Sequence, residues 1–392
     1  MNLLLLSKST IAHTFGGMET HTEAVARSAR ELGHDVVVIT TAHPRGLLEE
    51  VSDGVRVEYL NGAPAGSYSR VWWLESARAV RRWLDQGFGD LLLSFSLSGY
   101  GVAVSKVPTR HYAFAYGETL AHLISDRHDC SGLRGVAAYP RRALATLYAA
   151  TLERRLWARV DGVIATYDAL YQKLRRRGYP AHLSYNGIDV APFAPDERLR
   201  QATRQALGIE PSARVLLMVA TVNRQKGMWL GVESFLSLGG RYPDLHLLAV
   251  GDGPDLPSLR RRLDAARVAG RSHCVGAVPL ADVPAFYAAS DVFLYPSLRI
   301  EGLPFAVLYA LAAGLPIVAS DRGGIASAVQ DEETGLLVRA GDGTELTRAV
   351  GRVLDDPVFA QSLSKRSRER AAARFDALLL TRRLLAELTG RA

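Results

Sequence analysis

"EGLPFAVLYALAAGLPIVASD", residues 301–321, reads as a loop, a short helix and a buried strand laid end to end. Pro304 has the chemistry preferred at a first helical position, where its missing amide hydrogen costs nothing. Gly314 supplies the stop, and Leu315 to Ala319 begin the next strand. Glu301 and the amides around Gly302, Leu303 and Phe305 should therefore line the mouth of a cleft. A helix start favours a phosphate, and a carboxylate beside it accepts hydrogen bonds from hydroxyl groups. Together they describe a site for a sugar carried on a phosphate.

Outward from this stretch, Val215–Val219, Leu245–Val250 and Val292–Tyr295 are apolar runs with room for helices between them. Val36–Ile39, Leu91–Leu93 and Val163–Ala165 repeat the pattern in the first half. Such alternation predicts parallel sheets covered by helices on both faces. "NGIDVAPFAP" (186–195) combines a turn dipeptide with two prolines and reads as the interdomain connection. The expected fold is α/β, with two doubly wound domains at 1–187 and 188–365 and a C-terminal helix at 366–392. That helix either caps the second domain or crosses back to the first. Ligands of such folds bind at the carboxyl ends of the strands, so the cleft between the domains is the expected site.

The chain has 392 residues, enough for two cores, with 48% hydrophobic and 22% charged residues. Apolar runs such as Leu3–Leu6 are far shorter than a membrane helix requires. The start lacks the charged and apolar regions of a signal peptide, so a cytoplasmic protein is expected. Cys130 and Cys274 read as free thiols rather than as a disulfide or zinc ligands. The net charge of +7 points weakly to anionic partners, and only five of the 47 basic residues are lysines. That scarcity makes each lysine more noticeable.

Arg224 and Lys226 in "VNRQKGMWLGVESF" (222–235) follow a strand and are placed to hold a diphosphate, although a solvated basic loop accounts for them equally. Gly16 and Gly17 precede a helix and could let an anion approach its amides, or simply form a tight turn. In "AVGDGPDL" (249–256) Leu256 replaces the third glycine of the dinucleotide fingerprint, and Arg271 stands where its acid belongs. A nicotinamide or flavin site is therefore not expected. Neither an Asp-x-Asp pair nor histidines at ligand spacing occur, so no metal is expected.

The run "QKG", "LLAVGDGP", "CVGAVPLADVPAFYAASDVFLYPS", "EGLPFAVLYALAAGLPIVASDRGG" and "TGLLV" resembles the retaining GT-B glycosyltransferases of glycosyltransferase family 4. "GGMETHTEAVARSARELGHDVVVIT" and "YNGIDVAPF" extend the resemblance into the first half. It implies two Rossmann-like domains facing a central cleft, with a UDP- or GDP-sugar on the second and a hydroxyl acceptor on the first. Lys226 would meet the diphosphate, Glu301 the donor-sugar hydroxyls, and Gly302, Leu303 and Phe305 the phosphate and sugar. Gly17 would lie close to the reaction centre, and Val278 and Tyr309 complete the implied donor contacts. Attack on the same face of the sugar would retain its configuration without an enzyme nucleophile.

Three positions depart from the family pattern. Ala220-Thr221 replaces a Gly-Arg pair, so one phosphate cation is missing unless Arg224 supplies it. Tyr116 in "AFAYGET" stands where a histidine is usual, with His111 earlier in the same strand as a weaker candidate. Tyr309 replaces the second glutamate of Glu-x7-Glu, which in the family accepts the ribose hydroxyls. These losses keep two other readings open, a sugar-nucleotide-binding protein without catalysis and a nucleotide-sugar epimerase.

The acceptor is expected at "ETLAHLISDRHDCSGLRGVAAYPRR" (118–142), which is rich in His, Asp and Arg. In "YSRVWWLESARAVRRWLDQ" (68–86), Trp73, Ala77, Val80 and Leu84 form a helical stripe that either packs on the sheet or touches anionic lipid. The expected partners are thus a nucleotide sugar and a hydroxyl acceptor, with a lipid-linked acceptor and peripheral membrane contact as variants, and no nucleic acid.

Overall fold

The computed structural model describes residues 1–14, 16–121 and 132–390, with backbone alone for 132–138 and 269. They form two units. One gathers Met1–Ala121, Pro140–Asp189 and the chain from Phe375 onward, and the other is built on Val190–Arg374.

In the first unit the strands are β1 (Asn2–Leu6), β2 (Asp35–Thr41), β3 (Glu49–Ser52), β4 (Val55–Leu60), β5 (Leu91–Phe95), β6 (His111–Ala115), β7 (Gly162–Ala165) and β8 (Ala181–Leu183). They lie in the order β3-β4-β2-β1-β5-β6-β7-β8, and all pairs are parallel except the β3–β4 hairpin. Leu3 to Leu6 are all fully buried because both faces of β1 are covered. Leu3 and Leu5 pack with Val25 and Ala29 of the helix Gly17–Glu31. Leu4 and Leu6, pointing the other way, pack with Trp72 and Val80 of the helix Arg70–Asp85. On that helix Trp72, Ala77, Val80 and Trp83 are buried, whereas Trp73 and Leu84 are only partly so. The apolar stripe therefore packs on the sheet, and it is rotated by one residue at both ends from the expected one.

The second unit contains β9 (Arg214–Val219), β10 (Leu245–Val250), β11 (Ser272–Gly276), β12 (Val292–Tyr295), β13 (Ile317–Ser320) and β14 (Gly335–Val338). Their order is β11-β10-β9-β12-β13-β14, all parallel. Met218, Leu247 and Leu294 meet Val232 and Phe235 of the helix Met228–Leu238 in its core. Arg204 explains part of the arginine excess: only 2% exposed, it donates to Asp291 and to the carbonyls of Ala213 and Ala289. This fastens the helix Glu197–Leu207 beneath the amino ends of β9 and β12.

The chain reverses direction through the second sheet between β9 and β12, and through the first between β1 and β5. At such a switch point adjacent loops diverge and open a crevice at the strands' carboxyl ends. In place of the one C-terminal helix expected at 366–392 there are two, Pro357–Arg374 and Ala377–Thr389. At the break, Asp376 caps the second helix by accepting from the Leu379 amide, and Phe375 accepts from the Ile188 amide. Among the described residues no helix is long and apolar enough to cross a membrane.

Candidate functional site

The loops after β9 and β12 build a charged cluster at the second unit's switch point. After β9, Asn223 opens a short turn, Arg224–Lys226, by accepting from the Lys226 amide at 3.0 Å. Gly227 closes it with φ 66°, and a Cβ there would stand 1.9 Å from the Pro296 carbonyl oxygen. Only glycine combines that conformation with that approach. The Gln225 carbonyl then accepts from the amides of Leu298 and Arg299, tying the turn to the loop after β12.

Lys226 Nζ thereby reaches Glu301 Oε1 at 2.7 Å and Tyr295 Oη at 3.2 Å. Ser297 Oγ and Tyr295 Oη also donate to Glu301 Oε1, at 2.7 and 3.3 Å. Glu301 is only 7% exposed, and its carbonyl accepts from the Gly324 amide at 2.9 Å. Gly323 makes this possible, since a Cβ there would fall 2.1 Å from the same carbonyl oxygen. Among the described residues all side-chain hydrogen bonds to the carboxylate land on Oε1.

Burial opposes ionisation of Glu301, but Lys226, Ser297 and Arg299 outweigh it and hold the carboxyl below its usual range. Burial likewise opposes charge on Lys226, and Tyr295 and Glu301 together raise its pKa above the usual value. Tyr295 is pushed up to about 12, first by burial and then by Glu301, so near neutral pH it is an uncharged phenol. Glu301 is therefore the charge that keeps the ammonium in place.

The other expected donor contacts divide. Arg224 is exposed and takes no part in the hydrogen bonds of the Lys226–Glu301 pair. Gly302 and Phe305 are half-buried and Leu303 is buried, leading from Glu301 into the helix Phe305–Ala313. Pro304 caps that helix with ψ 127° instead of forming its first turn, and left-handed Gly314 ends it. Val278 is half-buried just beyond β11. Tyr309 lies in an aromatic cluster, stacked on Phe193 at 4.2 Å and edge-on to Tyr287 at 6.2 Å. The position thus contributes packing within the unit, which a glutamate could not.

In the first unit Gly17 is exposed and opens the helix Gly17–Glu31. Tyr116 follows the carboxyl end of β6, and its hydroxyl bonds His21 Nδ1 at 2.7 Å. Burial holds Tyr116 well above the usual phenol range and lowers His21 to about 3, so this pair is neutral near pH 7. His111 does not reach that end: it starts β6, at the opposite end of the strand, where Nε2 meets Ser94 Oγ at 2.8 Å. Residues 122–131 of the expected acceptor stretch, Cys130 among them, lie outside the described residues; Cys274 is a free thiol. A cavity of about 290 Å³ lies between the helix Gly17–Glu31 and the β2–β4 edge, with Thr10, Glu19, Thr22 and Glu50 in its wall. Glu23, Arg27 and Asp53 also line it, and Arg27 pairs with both carboxylates, so the wall as a whole suits hydroxyls better than phosphate.

Tyr295 and Ser297 beside Lys226 and Glu301, His21 on Tyr116 and Glu19 in the cavity wall are not among the residues that the sequence points to. A tyrosine and a serine ending the apolar run "VFLYPS" were a usable signal, as were the polar residues of "METHTE" at a helix start.

Residues 200–370 match the family model described as glycosyl transferases group 1, and residues 16–187 that described as glycosyl transferase 4-like domain. A GDP-mannose-dependent alpha-(1-6)-phosphatidylinositol monomannoside mannosyltransferase of Mycolicibacterium smegmatis is 33% identical over 211 residues, 52% of this chain and 55% of its own. The match thus spans about half the length of that relative. Alpha-monoglucosyldiacylglycerol synthase of Acholeplasma laidlawii is 23% identical over 89% of this chain and 87% of its own. Among solved structures, sucrose-phosphate synthase from Thermosynechococcus elongatus superposes with a TM-score of 0.76 at 22% identity, covering 100% of this chain and 99% of that one. The Anabaena protein HepE in complex with UDP-glucose gives 0.77 at 17% identity, over 99% of each chain. At these identities the structural likenesses are of fold.

Proposed function

We propose, for a chain that belongs to the group 1 glycosyl transferases and has the GT-B fold, that it moves a sugar from a nucleoside-diphosphate sugar to a hydroxyl acceptor. The observation that carries this reading is the Lys226–Glu301 pair at the β9/β12 switch point. Its ammonium meets the diphosphate, and Glu301 Oε2 accepts from the donor-sugar hydroxyls. Arg224, on the same turn and solvent-exposed, swings to the second phosphate. These two cations meet the leaving charge without a metal ion.

The acceptor oxygen attacks the anomeric carbon from the face the diphosphate leaves. The carbon–oxygen bond to the phosphate breaks as the new one forms, the departing phosphate oxygen takes the acceptor proton, and configuration is retained. Tyr116, a neutral phenol held by His21, and Gly17 serve the acceptor side. The donor is a UDP- or GDP-sugar, a reading supported by the GDP-mannose-dependent relative and the UDP-glucose complex of HepE. A lipid-linked acceptor is supported by the phosphatidylinositol and diacylglycerol in the relatives' names.

Thermal shift across a panel of UDP- and GDP-sugars, followed by turnover of the best ligand with lipid and glycan acceptors, tests the reading. Transfer is expected. Donor conversion without an acceptor would make the protein an epimerase, and binding without turnover would make it a sugar-nucleotide-binding protein.

A further inference from the structure

The helix Gly132–Trp157 presents an unusual outer face from residue 140 onward. Leu144, Leu147 and Tyr148 are 68%, 49% and 61% exposed. With Thr151, also exposed, they follow the spacing of a single helical stripe. The opposite face is conventional, with Leu152, Leu156 and Trp157 buried against Leu170 and Leu174.

Charge is distributed just as unevenly. Arg141, Arg142, Arg154, Arg155 and Arg159 are all exposed. By helical geometry Arg141 and Arg154 fall on opposite flanks of the stripe, and Arg155 continues its end. The one carboxylate between residues 140 and 159, Glu153, turns inward and accepts from Thr119 Oγ1 at 2.6 Å. No anion on this segment therefore offsets the arginines.

We propose that the outer face of residues 140–159 docks on an anionic lipid bilayer. Leu144, Leu147 and Tyr148 enter the boundary between headgroups and acyl chains, and the arginines meet lipid phosphates. A nucleic acid would use the arginines but leave the apolar stripe in water. A second copy would bring like charges together across a two-fold contact. The helix Arg70–Asp85 is a poorer fit: Val71 and Leu74 are exposed, but Arg82 pairs with Glu58, Arg81 donates to the Ser105 carbonyl, and Glu75 and Asp85 add negative charge. The inference gives a surface to the lipid-linked acceptor reading and rests on it for its purpose.

The test is sedimentation of the full chain with phosphatidylglycerol vesicles, compared with phosphatidylcholine vesicles, at low and high salt. Binding is expected to phosphatidylglycerol and to weaken at least about tenfold with phosphatidylcholine or high salt. L144D/L147D and R141E/R155E should each weaken it by about tenfold or more, and Trp fluorescence of Tyr148→Trp should shift blue on vesicle addition. Absence of binding at low salt, or equal binding by both double variants, overturns the proposal. So does a wild-type dimer that L144D/L147D dissociates, or vesicle release by duplex DNA. Nucleotide-sugar thermal shifts on the same samples separate the two readings. Donor binding without vesicle binding defeats only this proposal, and vesicle binding without donor binding defeats only the transferase reading.

Discussion

Removing the Lys226 ammonium would leave the Glu301 carboxylate buried, with Ser297 and Tyr295 its remaining donors among the described residues. Breaking a buried pair on one side costs roughly 3–5 kcal/mol, whereas replacing both partners by neutral groups of similar size is far less costly. Lys226→Ala should therefore lower the unfolding free energy while leaving the protein folded, as Glu301 takes up a proton. The double variant Lys226→Met/Glu301→Gln should recover most of the stability in denaturant titration but none of the transfer. Protonation adds a second expectation at this scale. His21 and His111 are lowered by burial to about 3, whereas an unfolded histidine titrates near about 6.5. Between those values the unfolded chain binds protons that the folded chain refuses. Their stabilising contribution is present above about pH 6.5 and lost as pH falls toward 3, at up to about 1.4 kcal/mol per pH unit for each histidine. Melting temperatures from pH 7 to 4.5 should fall, and His111→Gln should flatten the slope. An unchanged slope would contradict the burial assigned to it.

At the scale of elements, the Asn223–Gly227 turn converts a loop into a held cation. Gly227→Ala adds a Cβ that meets the Pro296 carbonyl and places alanine in the left-handed region, a cost of at least about 1–2 kcal/mol. The strap to the β12 loop should loosen, so the donor-induced thermal shift should fall further than the intrinsic melting temperature does. Equal losses would mean that the turn serves stability alone. Buried parallel strands were legible because both faces are covered and the run stays apolar, as in β1, β10 and β12. β3, with the mostly exposed sequence EEVS, and the three-residue β8 carry no such signal. Lys226 and Glu301 were recognisable as motif residues, but Tyr295 and Ser297 join them only because β9 lies beside β12, and that adjacency is tertiary. His111 and Tyr116 belong to one apolar segment, and their opposite ends were separated only by where β6 begins and stops.

Across the whole molecule the chain's end belongs with its beginning. Leu384, Leu385 and Leu388 of the helix Ala377–Thr389 share a core with Leu3, Leu5 and Val25. Leu384→Ala and Leu388→Ala should each cost about 2–5 kcal/mol. Amide exchange should rise in residues 2–6 before it rises in 214–219; the reverse order would contradict this packing. Helical periodicity left this destination open, since an apolar face specifies burial without specifying the partner. The central claim is that Lys226 holds the donor diphosphate, and single-turnover transfer by the full-length wild type and by Lys226→Ala, at saturating nucleotide sugar and below both melting transitions, tests it most directly. The predicted result is a loss of about 10²–10³ or more with the fold intact. An unchanged rate constant in Lys226→Ala would contradict it.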